Sequence, residues 1–293
     1  MRKRTGRLNR PGRKRRVTVA RPTGFCFGVE RAIRMAKQGK KKYGRVYTLG
    51  ELVHNPLVLE ELEREGIRAV RDVRRAGDGA LVIRAHGCPP GVLNRCQEFG
   101  IRTIDATCPY VHKVQSVARR LKEQGYEIVV VGERNHPEVK GILGHSGRAG
   151  RVYTPRMRLK GAKVGVVAQT TMSAERFREA VAKLSRFRYT ELRAFDTTCK
   201  EVTARQEAAA RLAQKAELVI VVGGRNSANT SRLAEIVRAA GKELAYVERA
   251  SELPYCALSR RTRIGVVAGS STPAWVVREV VDFARNPVKE DRK

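Results

Sequence analysis

The sequence predicts an α/β protein of three related α/β units, with mainly parallel sheets, set about a pseudo-threefold axis. Three observations carry this. Short apolar strands alternate with helix-like stretches from residue 17 to residue 285. The strands lack the period-two alternation of a half-exposed sheet, so they are covered on both faces, as parallel strands are. A cysteine-bearing turn also recurs three times: Thr23-Gly24-Phe25-Cys26, Asp105-Ala106-Thr107-Cys108 and Asp196-Thr197-Thr198-Cys199. Glycine stands 24 residues after each cysteine (Gly50, Gly132, Gly223), and His54, His136 and Ser227 stand 28 residues after. A spacing kept over that length marks one supersecondary unit used three times.

The elements follow in order. Val17–Ala20 is a short strand, and Gly24 to Gly28 form a tight turn that lets backbone approach a bound group. Val29–Lys42 has helical spacing through Val29, Ile33 and Ala36 and stops near Gly44. Strand Val46–Leu49 leads through Gly50–Pro56 to a helix over Leu57–Glu65. Strand Ala80–Arg84 ends at Ala85-His86-Gly87; helix Val92–Glu98 and strand Thr103–Ala106 complete the first unit. The second unit has helix Tyr110–Gln124, strand Glu127–Val131, a helix from Pro137, strand Lys163–Ala168 and helix Ser173–Ser185, with Ser173 as N-cap. The third has helix Glu201–Lys215, strand Leu218–Val222, helix Thr230–Ala240, strand Ile264–Ala268 and helix Ala274–Ala284. The expected organisation is a disordered basic tail (1–16), a strand segment that packs with the third unit (17–26), units over 27–108, 109–199 and 200–285, and a C-terminal tail (286–293).

A chain of 293 residues with 42% apolar content can bury a full core. No apolar run approaches the ~18 residues that span a bilayer. Val17–Ala20 is too short for a signal-peptide core, which points to a cytoplasmic protein. Six cysteines without a C-x-x-C pair fit reduced thiols rather than a disulfide framework. The net charge is +31, and residues 1–16 hold nine of the basic side chains and no acid. Such a charge attracts anionic partners. Nucleic acid is a possible partner but not the favoured one, because the basic residues are spread over the whole chain.

In parallel α/β folds ligands sit beyond the carboxyl ends of strands, where all these motifs lie. Cys26, Cys108 and Cys199 occupy equivalent turns and form a candidate metal site. They could hold one zinc with an open fourth position, or three corners of a [4Fe–4S] cube. Cys88, Cys96 and Cys256 fall outside the repeat and read as packing residues. A second polar set comprises His54, His86, His136, Glu138, Thr170, Thr171, Ser227, Asn229 and Ser271. Imidazoles, hydroxyls and helix N-termini together suit a phosphate or diphosphate. Glu138 is the carboxylate of the set, either a proton donor or an acid placed for the helix dipole.

Gly-Phe-Cys-x-Gly-Val (24–29), Val-His-Asn (53–55), Ala-His-Gly (85–87), Asp-Ala-Thr-Cys-Pro (105–109), His-Pro-Glu-Val-x-Gly (136–141), Gln-Thr-Thr (169–171), Asn-Ser-x-Asn (226–229) and Arg-Leu (232–233) stand in this order. Over residues 17–285 the chain thereby resembles the 4-hydroxy-3-methylbut-2-enyl diphosphate reductases, iron–sulfur enzymes of isoprenoid synthesis by the methylerythritol phosphate route. The resemblance implies a trefoil around a [4Fe–4S] cluster held by Cys26, Cys108 and Cys199, with the allylic hydroxyl of the substrate on the free iron. It implies that His54, His86, His136, Ser227, Asn229 and Ser271 hold the diphosphate, and that Glu138, with Thr170 and His136, serves catalysis. Isopentenyl and dimethylallyl diphosphate would be the products, and a ferredoxin- or flavodoxin-type acidic protein the electron donor. Ala228 stands where the family usually has a second serine, so its backbone N–H takes that place in the substrate site. Arg84 replaces a small hydroxyl residue, and Val202 a threonine. The competing readings are a cluster-bearing paralogue that binds RNA or another polyanion, and a zinc lyase or hydrolase.

Overall fold

The computed structural model describes residues 15–259 and 261–287. Residues 1–14, most of the expected basic tail, and 288–293, most of the expected C-terminal tail, lie outside the described residues. Arg15 and Arg16, expected in the tail, are engaged instead. Arg15 Nε donates to Leu258 O at 3.2 Å, and the Arg16 N–H donates to Thr262 O at 2.7 Å as the first rung of a strand.

That strand is β1 (Arg16–Val19), and α1 (Phe27–Tyr43) follows it. The first unit continues as β2 (Val46–Leu49), α2 (Pro56–Arg64), β3 (Ile67–Val70), β4 (Ala80–Ile83), α3 (Pro90–Glu98) and β5 (Arg102–Asp105). The second comprises α4 (Pro109–Glu123), β6 (Glu127–Val131), α5 (Pro137–Ser146), β7 (Gly150–Val152), β8 (Lys163–Ala168), α6 (Ala174–Leu184) and β9 (Glu191–Phe195). The third comprises α7 (Lys200–Lys215), β10 (Leu218–Val222), α8 (Ala228–Ala239), β11 (Glu243–Val247), α9 (Tyr255–Ser259), β12 (Arg263–Ala268) and α10 (Ala274–Arg285).

Three four-stranded parallel sheets result, ordered β3-β2-β4-β5, β7-β6-β8-β9 and β11-β10-β12-β1. The orders are equivalent. Because β1 occupies the place of β5 and β9, pairing from Arg16↔Arg263 to Val19↔Val266, the start of the chain closes its last sheet. Each of these three edge strands runs into a cysteine turn. The central strands are mostly aliphatic and buried, wholly so in Leu218–Val222 and Ala80–Ile83, and each sheet carries one apolar cluster on each face.

Strands β3, β7, β9 and β11 were not expected. All four are sheet edges, and sequences such as Ile-Arg-Ala-Val and Glu-Leu-Arg-Ala-Phe leave much of their length exposed, so the apolar signal is diluted. Helices α2, α3 and α4 begin one or two residues earlier than the apolar periodicity suggests, because a proline opens each of them; α5 opens on Pro137 as expected. Proline is favourable in the first turn, where its missing N–H has no partner to lose.

Candidate active site

The three cysteines are placed by the same backbone device. Each is the residue before a helix: Cys26 for α1, Cys108 for α4, Cys199 for α7. Each anchors its N–H on a carbonyl two residues past the end of a central strand. Cys26 donates to Ser270 O (2.9 Å), Cys108 to Ala85 O (3.0 Å) and Cys199 to Thr170 O (2.9 Å). The turns therefore face one another beyond the strand ends. A Cβ placed on Gly28 would lie 2.7 Å from Cys108 Sγ and 4.0 Å from Cys26 Sγ, so only glycine lets α1 approach the thiols this closely.

Burial pushes the Cys26 thiol up to about 11, against the pull of the Val29 N–H; Glu201 and Cys108 add to the rise and Arg205 opposes it. Burial also raises Cys108, opposed by the N–H groups of Tyr110 and Val111 and reinforced by Cys199 and Glu138. The thiols thus feel one another's charge. A bound cation would reverse the balance, since it favours the thiolate that burial disfavours.

Beside this ring stands a cage of three imidazoles. His54 immediately precedes Asn55, whose Oδ1 caps α2 by accepting from the N–H groups of Leu57 (3.0 Å) and Val58 (3.4 Å). His136 caps α5, its Nδ1 accepting from the Glu138 N–H at 3.2 Å, and Ser227 caps α8 through the Thr230 N–H at 3.3 Å. The residues 28 after each cysteine thus sit at the N-termini of three equivalent helices. His86 joins them from the turn after β4. Its ring stacks on His54 at 4.4 Å and meets His136 edge-on at 5.4 Å.

Burial, then the neighbouring imidazoles and the Arg84 charge, hold His86 well below the usual histidine range. Burial, His54 and Arg84 bring His136 down to about 4. Both rings are therefore neutral near pH 7. Because Nδ1 of His136 accepts from backbone, its proton sits on Nε2. His54 Nε2, His86 Nδ1 and both polar ends of the Asn229 amide are enclosed without a hydrogen-bond partner. His54, His86, His136, Thr171, Ser227, Ala228, Asn229 and Ser271 line one cavity together with Val29, whose N–H reaches the Cys26 thiol. The cavity therefore lies between the cysteine ring and the imidazole cage.

Glu138 is 1% exposed. Its Oε1 accepts from the Thr170 N–H at 2.6 Å and its Oε2 from the Thr170 hydroxyl at 2.8 Å. Burial pushes its carboxyl up to about 7, against those two hydrogen bonds, so a proton is available there at neutral pH. The Thr170 carbonyl receives the Cys199 N–H, which ties the acid to the cysteine ring. Glu138 does lie in the first turn of α5, yet its carboxylate is directed at Thr170.

Ser271 Oγ donates to His54 O at 3.0 Å and so joins the third unit to the first. Glu51 was not singled out from the sequence. Its Oε2 accepts from His54 Nδ1 at 3.0 Å and from Asn226 Nδ2 at 2.8 Å, which orients the imidazole and locks two units together. A signal existed, since 25 residues after their cysteines both Glu51 and Glu133 are carboxylates.

Residues 17–285 match the LytB protein family. The 4-hydroxy-3-methylbut-2-enyl diphosphate reductase of Geotalea uraniireducens is 40% identical, over 91% of this chain and 96% of that one. The reductase of the same name from Geobacter sulfurreducens is 39% identical over 91% and 95%. Among solved structures, the E-1-hydroxy-2-methyl-but-2-enyl-4-diphosphate reductase from Plasmodium falciparum superimposes with a TM-score of 0.87 at 27% identity, over 94% of this chain and 89% of that one. A second, (E)-4-hydroxy-3-methyl-but-2-enyl diphosphate reductase, the terminal enzyme of the non-mevalonate pathway, gives a TM-score of 0.67 at 35% identity, over 91% and 97%. The α/β trefoil with cysteines at its centre is thus that of a known enzyme family: the chain belongs to the LytB family, the iron–sulfur oxidoreductases named 4-hydroxy-3-methylbut-2-enyl diphosphate reductase.

Proposed function

We propose that this chain reductively removes the allylic hydroxyl of 4-hydroxy-3-methylbut-2-enyl diphosphate, giving isopentenyl and dimethylallyl diphosphate. One observation carries the reading. A buried carboxyl, Glu138, whose pKa burial pushes up to about 7, lies between three convergent thiols and a cage of unsatisfied polar atoms. The donor set fits a cluster: three thiols at three helix N-termini, with a glycine leaving room beside two of them.

A [4Fe–4S] cluster on Cys26, Cys108 and Cys199 would supply electrons one at a time and a Lewis acid at its fourth iron. The protein's own residues do the rest. The cage imidazoles and the hydroxyls and amide of Ser227, Asn229 and Ser271 bind the diphosphate, with the N–H groups at the start of α8 facing it at Ala228. Glu138, oriented by Thr170, gives the leaving hydroxyl a proton so that it departs as water. His136, whose Nδ1 is occupied by backbone, presents Nε2–H to the substrate. The balance is two electrons and two protons per alcohol, giving one alkene and one water. The electrons come from an acidic one-electron protein of ferredoxin or flavodoxin type, drawn by the +31 charge.

The test is anaerobic reconstitution with iron and sulfide, then turnover of the allylic diphosphate with a small neutral reductant and product analysis. Both isomeric diphosphates are expected. A fully iron-loaded protein that consumes no substrate, yet binds RNA tightly, would favour the paralogue.

A further inference from the structure

Arg84 stands just past the end of β4, two residues before His86. Its side chain is partly buried, and Nε is enclosed without a hydrogen-bond partner. Glu51, whose negative charge favours the cation, is hydrogen-bonded to His54 and Asn226 instead, and no ion pair reaches Arg84 among the described residues. The guanidinium takes space that Gly50 leaves open, since a Cβ there would lie 2.8 Å from Nη1. Its charge is felt at His86 and His136, two of the three cage rings.

An unpaired cation held partly out of water is unfavourable unless an anion completes it. The cage itself offers no such anion. Its members facing the cavity are imidazoles, hydroxyls and one amide, with unsatisfied atoms. Three imidazoles with ligand atoms within 4.8 Å are also a possible set for a metal ion, but a cation there would have to share the cage with Arg84. A guanidinium does not lose its charge in the physiological range, so its attraction for an anion in the neighbouring cavity is permanent.

We propose that Arg84 is a specificity-determining residue of this site, a fixed positive charge behind the His54–His86–His136 cage that selects a diphosphate over a monophosphate. The imidazoles contribute hydrogen bonds, while Arg84 contributes charge, and the ligand with one more ionised oxygen gains most from it. The organic part of that ligand rests on the proposed function. The anion preference does not.

The experiment uses the iron-loaded enzyme and its Arg84→Ser and Arg84→Lys variants, with inorganic diphosphate and inorganic phosphate as probes. Binding is followed by calorimetry and by the rise in melting temperature on ligand addition. In Arg84→Ser the dissociation constant for diphosphate is expected to rise about tenfold or more, as for the loss of one unit charge held partly out of water near the anion, and that for phosphate to rise less. The ligand-free variant should melt no lower than the parent, because an unpaired charge has gone. Arg84→Lys should recover part of the diphosphate affinity. With the allylic diphosphate the loss should fall on KM more than on kcat. Unchanged diphosphate affinity in Arg84→Ser, or equal losses for the two anions, would overturn the proposal. Should Arg84→Ser not fold, undiminished diphosphate preference in Arg84→Gln would overturn it as well. A parent enzyme that binds diphosphate through Arg84 but never reduces the allylic substrate would sink the proposed reaction and leave this inference standing.

Discussion

The cysteine ring and the imidazole cage are built from the same three repeats, yet one keeps the repeat and the other breaks it. At the ring, three cysteines sit before three helices and donate to three carbonyls at equivalent places, Ala85, Thr170 and Ser270. One residue further along those same turns the side chains diverge into His86, Thr171 and Ser271. Twenty-eight residues past the cysteines they are His54, His136 and Ser227; thirty past, Pro56, Glu138 and Asn229. A cluster with three like corners asks for three like donors. In the proposed reading a substrate with a charged end and a reacting end asks for unlike ones, so the backbone keeps its symmetry while the side chains of the cage lose it.

The largest expected effect tests the symmetric half. If the three turns are equivalent, Cys26→Ser, Cys108→Ser and Cys199→Ser should each lose most of the bound iron, while Cys96→Ser and Cys256→Ser should keep it. Cys96 lies in an apolar cluster under α3, on the other face of the first sheet from Cys26. Full iron content in Cys108→Ser would break the equivalence.

The next effect tests the break in symmetry at Glu138. Glu138→Gln keeps the shape and removes the acid, and turnover should fall by about 10²-fold or more while iron content stays. The native rate should also fall as pH rises through about 7, where Glu138 loses its proton. The same group leaves a mark on stability. Its folded pKa lies above the usual carboxylate value, so the unfolded chain releases the proton first and stability declines between about 4.5 and 7. His136 slopes the other way. Its folded pKa of about 4 lies below the usual 6.5, so stability is lost as pH falls through that window. Glu138→Gln should remove the first slope and leave the second; an unchanged melting profile would return Glu138 to the helix-dipole reading.

Glu51 gives an intermediate effect. It positions His54 and holds the Asn226 loop against the first unit, so Glu51→Gln should raise KM several-fold and change kcat less. Retention of wild-type KM would show that the cage needs no orienting carboxylate.

The comparison also explains which parts the sequence revealed. Central strands such as Leu218–Val222 announce themselves because both faces are covered, whereas Ile67–Val70 and Glu191–Phe195 lie at edges and carry exposed polar side chains. His54, His136 and Ser227 were legible because helix-capping geometry preserves their offset. His86, Thr170 and Ser271 were legible because strands stop there. The offset of Glu51 was legible but its role was not, since its partner Asn226 lies 175 residues away and only the closed fold joins them. The unpaired state of Arg84 was hidden for the same reason.

The smallest effect lies at residue 228, where the motif resemblance implies a second serine and the chain has alanine. Ala228 is the first residue of α8 and lines the cavity, directly after the capping Ser227. The first N–H groups of a helix have no partner within it, and the helix dipole adds partial positive charge there. Backbone can therefore do part of what a serine hydroxyl would do at this position. Ala228→Ser adds one donor to a site already furnished with Asn229, Ser271 and three imidazoles. The gain should be that of a single hydrogen bond, ~1 kcal/mol or about a fivefold fall in KM, with kcat nearly constant. If kcat rises strongly while KM stays fixed, residue 228 faces the reacting carbon rather than the diphosphate, and the asymmetry of the cage has been assigned to the wrong end of the substrate.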